Sequence, residues 1–582
     1  MSIIKELTKD VKDIVRNAGY EIDTVVLESS NRPDLGQFQI NNAMTLARTY
    51  HKNPRDIATD IVKELEKDNR FTNLNIAGPG FINITLTNDY LIECLNTLTN
   101  NLDNIIDKKD KKKVIIDYGG ANVSKALHVG HLRSANIGEA LKRLAKTLGY
   151  EVLGDAHLGD YGRPLGLVIR EIKEMYPDLD YFNENYIGDY NDIDLPITNE
   201  DLERIYPIAS SNAKENEEYL EEARIITNKL QNKEKGYYEL WKKIIEISKE
   251  DIKKTYDDIN TFFEIWNGES DEAEYINEVT KIFKEKNLLV ESEGAKIVEV
   301  KKEEDNAPMP PLMFENSNNT YTYATTDLAT ILDRKKNYNP DEIWYVTDDR
   351  QSLHFEQVFR AARLANLVDN NVILEHIPYG TMNGKDGKPF KTRDGGVMSL
   401  KELIKLVNTE TDKRINNNTI SEEERKKISK TVAIAAIKYA DLVPYRKTDY
   451  IFEIDKFSEI EGKTGPYLLY STIRMKSLLD RAKDLPKNKI TKFKTSTEID
   501  LALQILNLPV VLDKSLELKS LNEITDYLYK LTSLYNKFYS ENKILTEEDK
   551  ELQESWLTLT SIVYSINNLL LDILSIKVPE KM

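Results

Sequence analysis

The stretch from Lys113 to His131, Lys-Val-Ile-Ile-Asp-Tyr-Gly-Gly-Ala-Asn-Val-Ser-Lys-Ala-Leu-His-Val-Gly-His, leaves few options for what this chain folds into. Its apolar run reads as a buried parallel strand, the glycines after it as a turn, and His128-Val-Gly-His131 as the start of a helix. Ile137, Leu141, Leu144 and Leu148 recur at helical spacing, and Gly149 is placed to end the helix. A helix start after a strand presents free backbone N–H groups and the positive end of a dipole, a natural phosphate site. His128 and His131, three residues apart, face the same anion. Gly130 between them leaves room for a flat base or ribose against the backbone. The element reads as ATP-handling.

With 6 His and 24 Gly in 582 residues, chance produces His-x-Gly-His roughly 0.002–0.003 times per chain, so accident explains it poorly. The bland alternatives are a pair of satisfied core histidines and a His-x-x-His half-site for zinc. Zinc lacks partners, because Cys94 is the only cysteine and no other histidine cluster exists. No protein-bound metal is expected.

The length of 582 residues implies several domains with ample core. Apolar residues at 40% and charged residues at 31% are ordinary globular composition, not disorder. No apolar run is long enough to span a bilayer. The opening Met-Ser-Ile-Ile-Lys-Glu-Leu carries acids and does not resemble a secretion signal or transit peptide. With a single cysteine, a reducing compartment and cytoplasmic location are the expectation. The net charge of −18 argues against an indiscriminate nucleic-acid binder, without excluding a local basic face.

Residues 1–108 read as a separate α+β domain, with helical patterns at Ile3 to Ala18 and Pro54 to Lys67 and strand-like alternation from Asn75 to Leu86. The charged run Asp107 to Lys113 marks a boundary. Residues 109–400 read as an α/β, Rossmann-like parallel-sheet domain. Its second strand falls at Tyr150 to Asp155 and a later one at Glu342 to Thr347, followed by a helix from Leu353 to Leu364. An acidic, Asn-rich helical insertion spans about 177–250. A connecting helical segment follows over 401–457, and 458–582 reads as an all-α bundle.

The residues Ser124 to His131 resemble the first signature of class I aminoacyl-tRNA synthetases. Asp117-x4-Asn122-x2-Lys125-x2-His128 and His131-Leu-Arg-Ser134 narrow the resemblance to arginyl-tRNA synthetases, over nearly the whole chain and including the closing Ile576 to Met582. That family joins L-arginine to tRNA(Arg) through an arginyl adenylate formed from ATP with Mg²⁺, and activation in it often requires the tRNA.

The resemblance then assigns roles. His128, Gly130, His131 and Lys125 match the ATP site. Tyr323 and Asp327, four apart on one helix face, match a pair that contacts the substrate guanidinium, a planar five-donor cation that wants a carboxylate and a flat ring. Glu269 matches a second guanidinium-facing carboxylate. Two such carboxylates disfavour lysine by geometry and citrulline by charge. Asn122, Asp117 and Gln351 match the groups holding the substrate's α-amino and carboxylate ends. Each also reads as an ordinary loop hydrogen-bonding residue.

The second class I signature departs from its usual Lys-Met-Ser-Lys-Ser. Here Lys388-Pro-Phe-Lys-Thr-Arg-Asp-Gly-Gly396 places Thr392 in the slot of the phosphate-binding lysine. Many arginyl enzymes share this and carry a lysine three residues before the first histidine. Lys125 is that residue, a point charge able to replace the missing one, with Lys391 and Arg393 assisting. For tRNA, the resemblance points to Gln37, Phe38 and Gln39 in the N-terminal domain, with Phe38 either a stacking platform or core. In the bundle it points to Tyr467, Tyr470 and Arg474, with Tyr467 reading equally as core. Within Tyr527 to Tyr539, Leu528, Leu531, Leu534 and Phe538 read as core. A monomer without membrane contact is expected. The competing readings are another class I ligase or nucleotidyltransferase and a silent tRNA-binding paralogue.

Overall fold

The computed structural model describes all residues except 1, 2, 26, 31, 33, 100, 161, 318, 319, 389, 391–397 and 416–420. The chain divides into two compact units, one of residues 1–109, 460–572 and 578–582 and one of residues 110–459 and 573–577.

The second unit is built on four parallel strands. Their order across the sheet is Ile373–His376, Glu342–Tyr345, Lys113–Asp117 and Glu151–Asp155. The first strand in the chain therefore sits inside. Its successor lies on one side and the later strands on the other, which opens a crevice beyond the carboxyl ends where such sheets take ligands. Register aligns Asp117 with Asp155 on one neighbour and with Tyr345 on the other. One row of side chains thus borders the crevice. Ile115, Ile343 and Tyr345 pack beneath the Tyr323–Asn337 and Ser352–Ala365 helices in a continuous apolar core.

The helix after the first strand runs Val129–Thr147 and is buried nearly all round, between the sheet and the Leu400–Arg414 and Glu422–Leu442 helices. Ser134 ties the helix to the sheet: its Oγ accepts from Gly119 N at 2.9 Å and donates to Val346 O at 2.6 Å. Arg133 is fully buried and pairs with Asp441 at 3.0 Å. These contacts explain why a buried serine and a buried arginine follow His131 in this helix.

The insertion folds as the Asn199–Glu215, Glu217–Gln231 and Lys235–Asp258 helices, so it extends past residue 250. A three-stranded antiparallel sheet, Leu289–Ser292, Ala295–Val298 and Leu312–Glu315, was not legible. Its strands are too short for alternation to stand out.

In the first unit, a four-stranded antiparallel sheet carries the helices Ile3–Asn17, Ala43–Tyr50, Pro54–Leu65 and Asn88–Asn96. This α+β layer and the C-terminal helices form one compact body. Asn96 and Ile490 exchange two hydrogen bonds of 2.8 Å, and Lys5 bridges Asp107 and Asp513 at 2.5 Å each. The charged run 107–113 is thus partly committed to ion pairs.

Tyr118 is wedged against two glycines. A Cβ on Gly138 would lie 2.2 Å from its ring, and one on Gly154 would lie 2.8 Å away. A mid-helix Gly→Ala change ordinarily stabilises by about 1 kcal/mol. At Gly138 we expect the opposite sign, a loss of about 1–3 kcal/mol from overpacking, read as a lowered thermal midpoint for Gly138→Ala.

Candidate functional site

The start of the Val129–Thr147 helix is closed by its own histidines. His128 caps it, its Nδ1 accepting from Gly130 N at 3.0 Å, and His131 Nδ1 accepts from His128 N at 3.1 Å. Val129 N donates to Met398 O at 3.2 Å. The expected free N–H groups are therefore taken, which corrects the simple helix-terminus picture of the phosphate site. A Cβ at Gly130 would fall 2.8 Å from His128 Cε1, so the room left by this glycine holds the imidazole.

Both rings are biased towards the neutral form. Burial, then His128 and Lys125, push His131 down to about 3, and burial and Lys125 also lower His128. With each Nδ1 acting as acceptor, the proton of each neutral ring sits on Nε2. The two ring centroids lie 4.0 Å apart at the start of the helix that follows the strand.

Beyond the sheet, backbone pairing carries the strand ends onward. Asn122 bridges Gly159, and Leu158 bridges Gly268. A Cβ on Gly159 would lie 2.3 Å from Asn122 Oδ1 and one on Gly268 2.3 Å from Asp160 Oδ2, so side chains lie across bare backbone. This pairing sets Asn122, which is exposed, in register with the loop that carries Glu269. Ser124 adopts a left-handed φ of 64° while buried, its N–H held by Ser248 of the insertion at 3.2 Å.

Glu269 is pushed up to about 8 by burial and then by the charges of Asp160 and Asp327. Asp160 is itself raised by burial while holding Ser270 through its N (2.9 Å) and Oγ (2.6 Å). Tyr323 is 70% exposed at the mouth, and its phenol is raised by partial burial and then by Glu269. Glu269, Asp327 and Tyr323 therefore share one electrostatic neighbourhood. A carboxyl group whose ionised form is disfavoured in this way would lose its proton more readily beside a bound cation.

Asp117 is engaged. Arg334, only 1% exposed, bonds Asp117 Oδ2 and Asp155 Oδ2, each at 2.6 Å. Tyr323, Asp327, Thr330 and Arg334 follow at i, i+4, i+7 and i+11, a polar stripe along one helix that pair spacing alone missed. Asp160, His354 and Tyr206 were missed as well. His354 Nε2 lies 2.6 Å from Asp327 Oδ2, and Gln351 is exposed one turn before it. Lys125 Nζ sits 4.3 Å above the ring of Tyr206, in the insertion, rather than free at a phosphate mouth.

The description "tRNA synthetases class I (R), catalytic domain" matches residues 93–454. "Arginyl tRNA synthetase N terminal domain" matches 2–86 and "DALR anticodon binding domain" matches 468–582. The chain belongs to the arginyl-tRNA synthetase family. It is 41% identical to an arginine–tRNA ligase of Alkaliphilus oremlandii and 40% identical to one of Agathobacter rectalis, with 100% of each chain covered. The arginyl-tRNA synthetase of Plasmodium falciparum superposes with a TM-score of 0.80 at 26% identity, covering 99% of both chains.

Against arginyl-tRNA synthetase expectations for the tRNA contacts, several side chains prove occupied. Phe38 is 7% exposed, so it belongs to the core and is no free stacking platform. Gln37 Oε1 accepts from Leu86 N at 2.8 Å, and Gln39 donates to Asn83 at 3.0 Å. Tyr467 accepts from Asn536 at 2.9 Å inside the bundle. Tyr470 is 41% exposed, with Arg474 4.7 Å from its ring and 5.6 Å from that of Tyr539. Lys391 and Arg393 lie outside the described residues. No group of three or more His, Cys, Asp or Glu among the described residues is arranged to hold a metal, and no described helix is long and apolar enough to cross a membrane.

Folding raises Glu269 from 4.5 to about 8. Between those values the folded chain holds the extra proton, so stability falls as pH rises through this window. Glu269→Gln should melt close to the parent at about pH 5 and clearly above it at about pH 9, measured without ligands.

Proposed function

We propose that this chain ligates L-arginine to tRNA(Arg) with ATP, through an enzyme-bound arginyl adenylate. The observation that carries this reading is the coupling of Glu269 and Asp327, two carboxyl groups that disfavour each other's charge, in the same unit as the paired imidazoles of His128 and His131.

In the first step the arginine carboxylate attacks the α-phosphorus of ATP in line. An oxygen–phosphorus bond forms, the bond to the β-phosphate oxygen breaks, and pyrophosphate leaves. The 3′-terminal adenosine of the tRNA then attacks the arginyl carbonyl, and AMP leaves. Catalysis in the first step needs alignment and stabilisation of charge building on phosphate oxygens. The Nε2–H groups of His128 and His131 supply that stabilisation. Mg²⁺ enters with ATP as part of the substrate. Lys125, swung from Tyr206, replaces the lysine that Thr392 displaces, with Lys391 and Arg393 assisting.

Asp327 and Glu269 take the guanidinium with Tyr323 beside it. Asn122, Gln351 and Asp117 serve the α-amino and carboxylate ends. For Asp117, only the lone pairs that Arg334 leaves open are available. The tRNA rests on the bundle face of Tyr470 and Arg474, and activation depends on its binding. The cytoplasm is the site of action, as a monomer.

Arginine-dependent pyrophosphate exchange, measured with and without tRNA, tests the reading. Exchange absent under both conditions contradicts it. Lys125→Ala should lower exchange by at least about tenfold, or ~1.4 kcal/mol, and a smaller fall removes the proposed role of this lysine.

A further inference from the structure

Asp327 does not stand free in the pocket. His354, in the first turn of the Ser352–Ala365 helix, places Nε2 2.6 Å from Asp327 Oδ2, with both side chains partly exposed (33% and 26%). The charge of Asp327 disfavours ionisation of Glu269, so the two carboxylates repel whenever Glu269 loses its proton. An aspartate facing a like charge gains by rotating away from it. The contact with His354 opposes that rotation and fixes the carboxylate plane.

We propose that His354 is a positioning residue for substrate selection, resting on the reading that Asp327 receives the guanidinium. It holds Oδ2 and leaves Oδ1 as the oxygen turned to the substrate. A fork-to-fork pairing of guanidinium and Asp327 is then reduced to one strong contact, and the second must come from Glu269. This accounts for a pocket that keeps a second, strongly disfavoured carboxylate. His354 also follows Gln351 by three residues, so one turn of backbone carries both the group for the amino-acid end and the holder of the side-chain end. The distance between the two recognition points is set by that turn, which fixes the length of side chain the pocket accepts.

The test is aminoacylation kinetics for the parent, His354→Leu, His354→Gln and Asp327→Asn, with KM determined separately for arginine, ATP and tRNA. His354→Leu should raise the arginine KM by about tenfold or more while kcat and the ATP KM stay within about threefold. His354→Gln, whose amide nitrogen reaches the same oxygen, should restore the arginine KM to within about threefold of the parent. If the leucine variant does not fold, His354→Asn, too short to reach Oδ2, takes its place. An unchanged arginine KM, an equal loss in every parameter, or a glutamine variant as impaired as the leucine one overturns the proposal. Asp327→Asn separates the two layers. A raised arginine KM there with none in His354→Leu rejects only the positioning role, and no change in either variant rejects the arginine pocket itself.

Discussion

Arg334 is the interaction on which the site depends. Parallel register forces Asp117 and Asp155 side by side at the ends of adjacent strands, and two neighbouring carboxylates there repel strongly in a partly buried setting. The guanidinium between them, bonded to one oxygen of each, makes the row tenable. Removing one partner from such a buried arrangement costs about 3–5 kcal/mol. Because Arg334 belongs to the helix that also carries Tyr323 and Asp327, the same ion pair fixes that helix in rotation and height above the sheet. Pocket geometry and sheet integrity are therefore one problem with one solution.

The parallel-sheet core was legible because it rests on local signals. A β-branched run, a glycine turn and a helical apolar stripe encode strand Lys113–Asp117 and helix Val129–Thr147 without long-range information. The histidines stood out for the same reason. What the sequence hid was pairing across distance. Arg334 meets Asp117 from 217 residues away, His354 meets Asp327 from another helix, and Tyr206 reaches Lys125 from the insertion. Each reads locally as an ordinary surface residue.

A second class of error came from side chains that look available and are not. Gln37, Gln39 and Tyr467 have the right chemistry for nucleotides, yet backbone and amide groups of the fold already engage one polar atom of each. The helix start repeats this at the centre of the site, where imidazoles occupy the amides expected to meet phosphate. Composition and spacing count donors and acceptors. Only the folded chain shows which are already taken.

The uncharged state of His128 and His131 has a consequence for turnover. In the proposed mechanism, two charged imidazoles added to Lys125 would grip pyrophosphate, a product with several negative charges, more tightly than the transient charge they must stabilise. Neutral N–H donors, strong only at short range and in good alignment, would in that mechanism favour the moment of bond exchange and exert little long-range hold once the fragments separate. Burial and the neighbouring Lys125 favour the neutral form of both histidines, and under the proposed mechanism a neutral pair is the one that lets the fragments go.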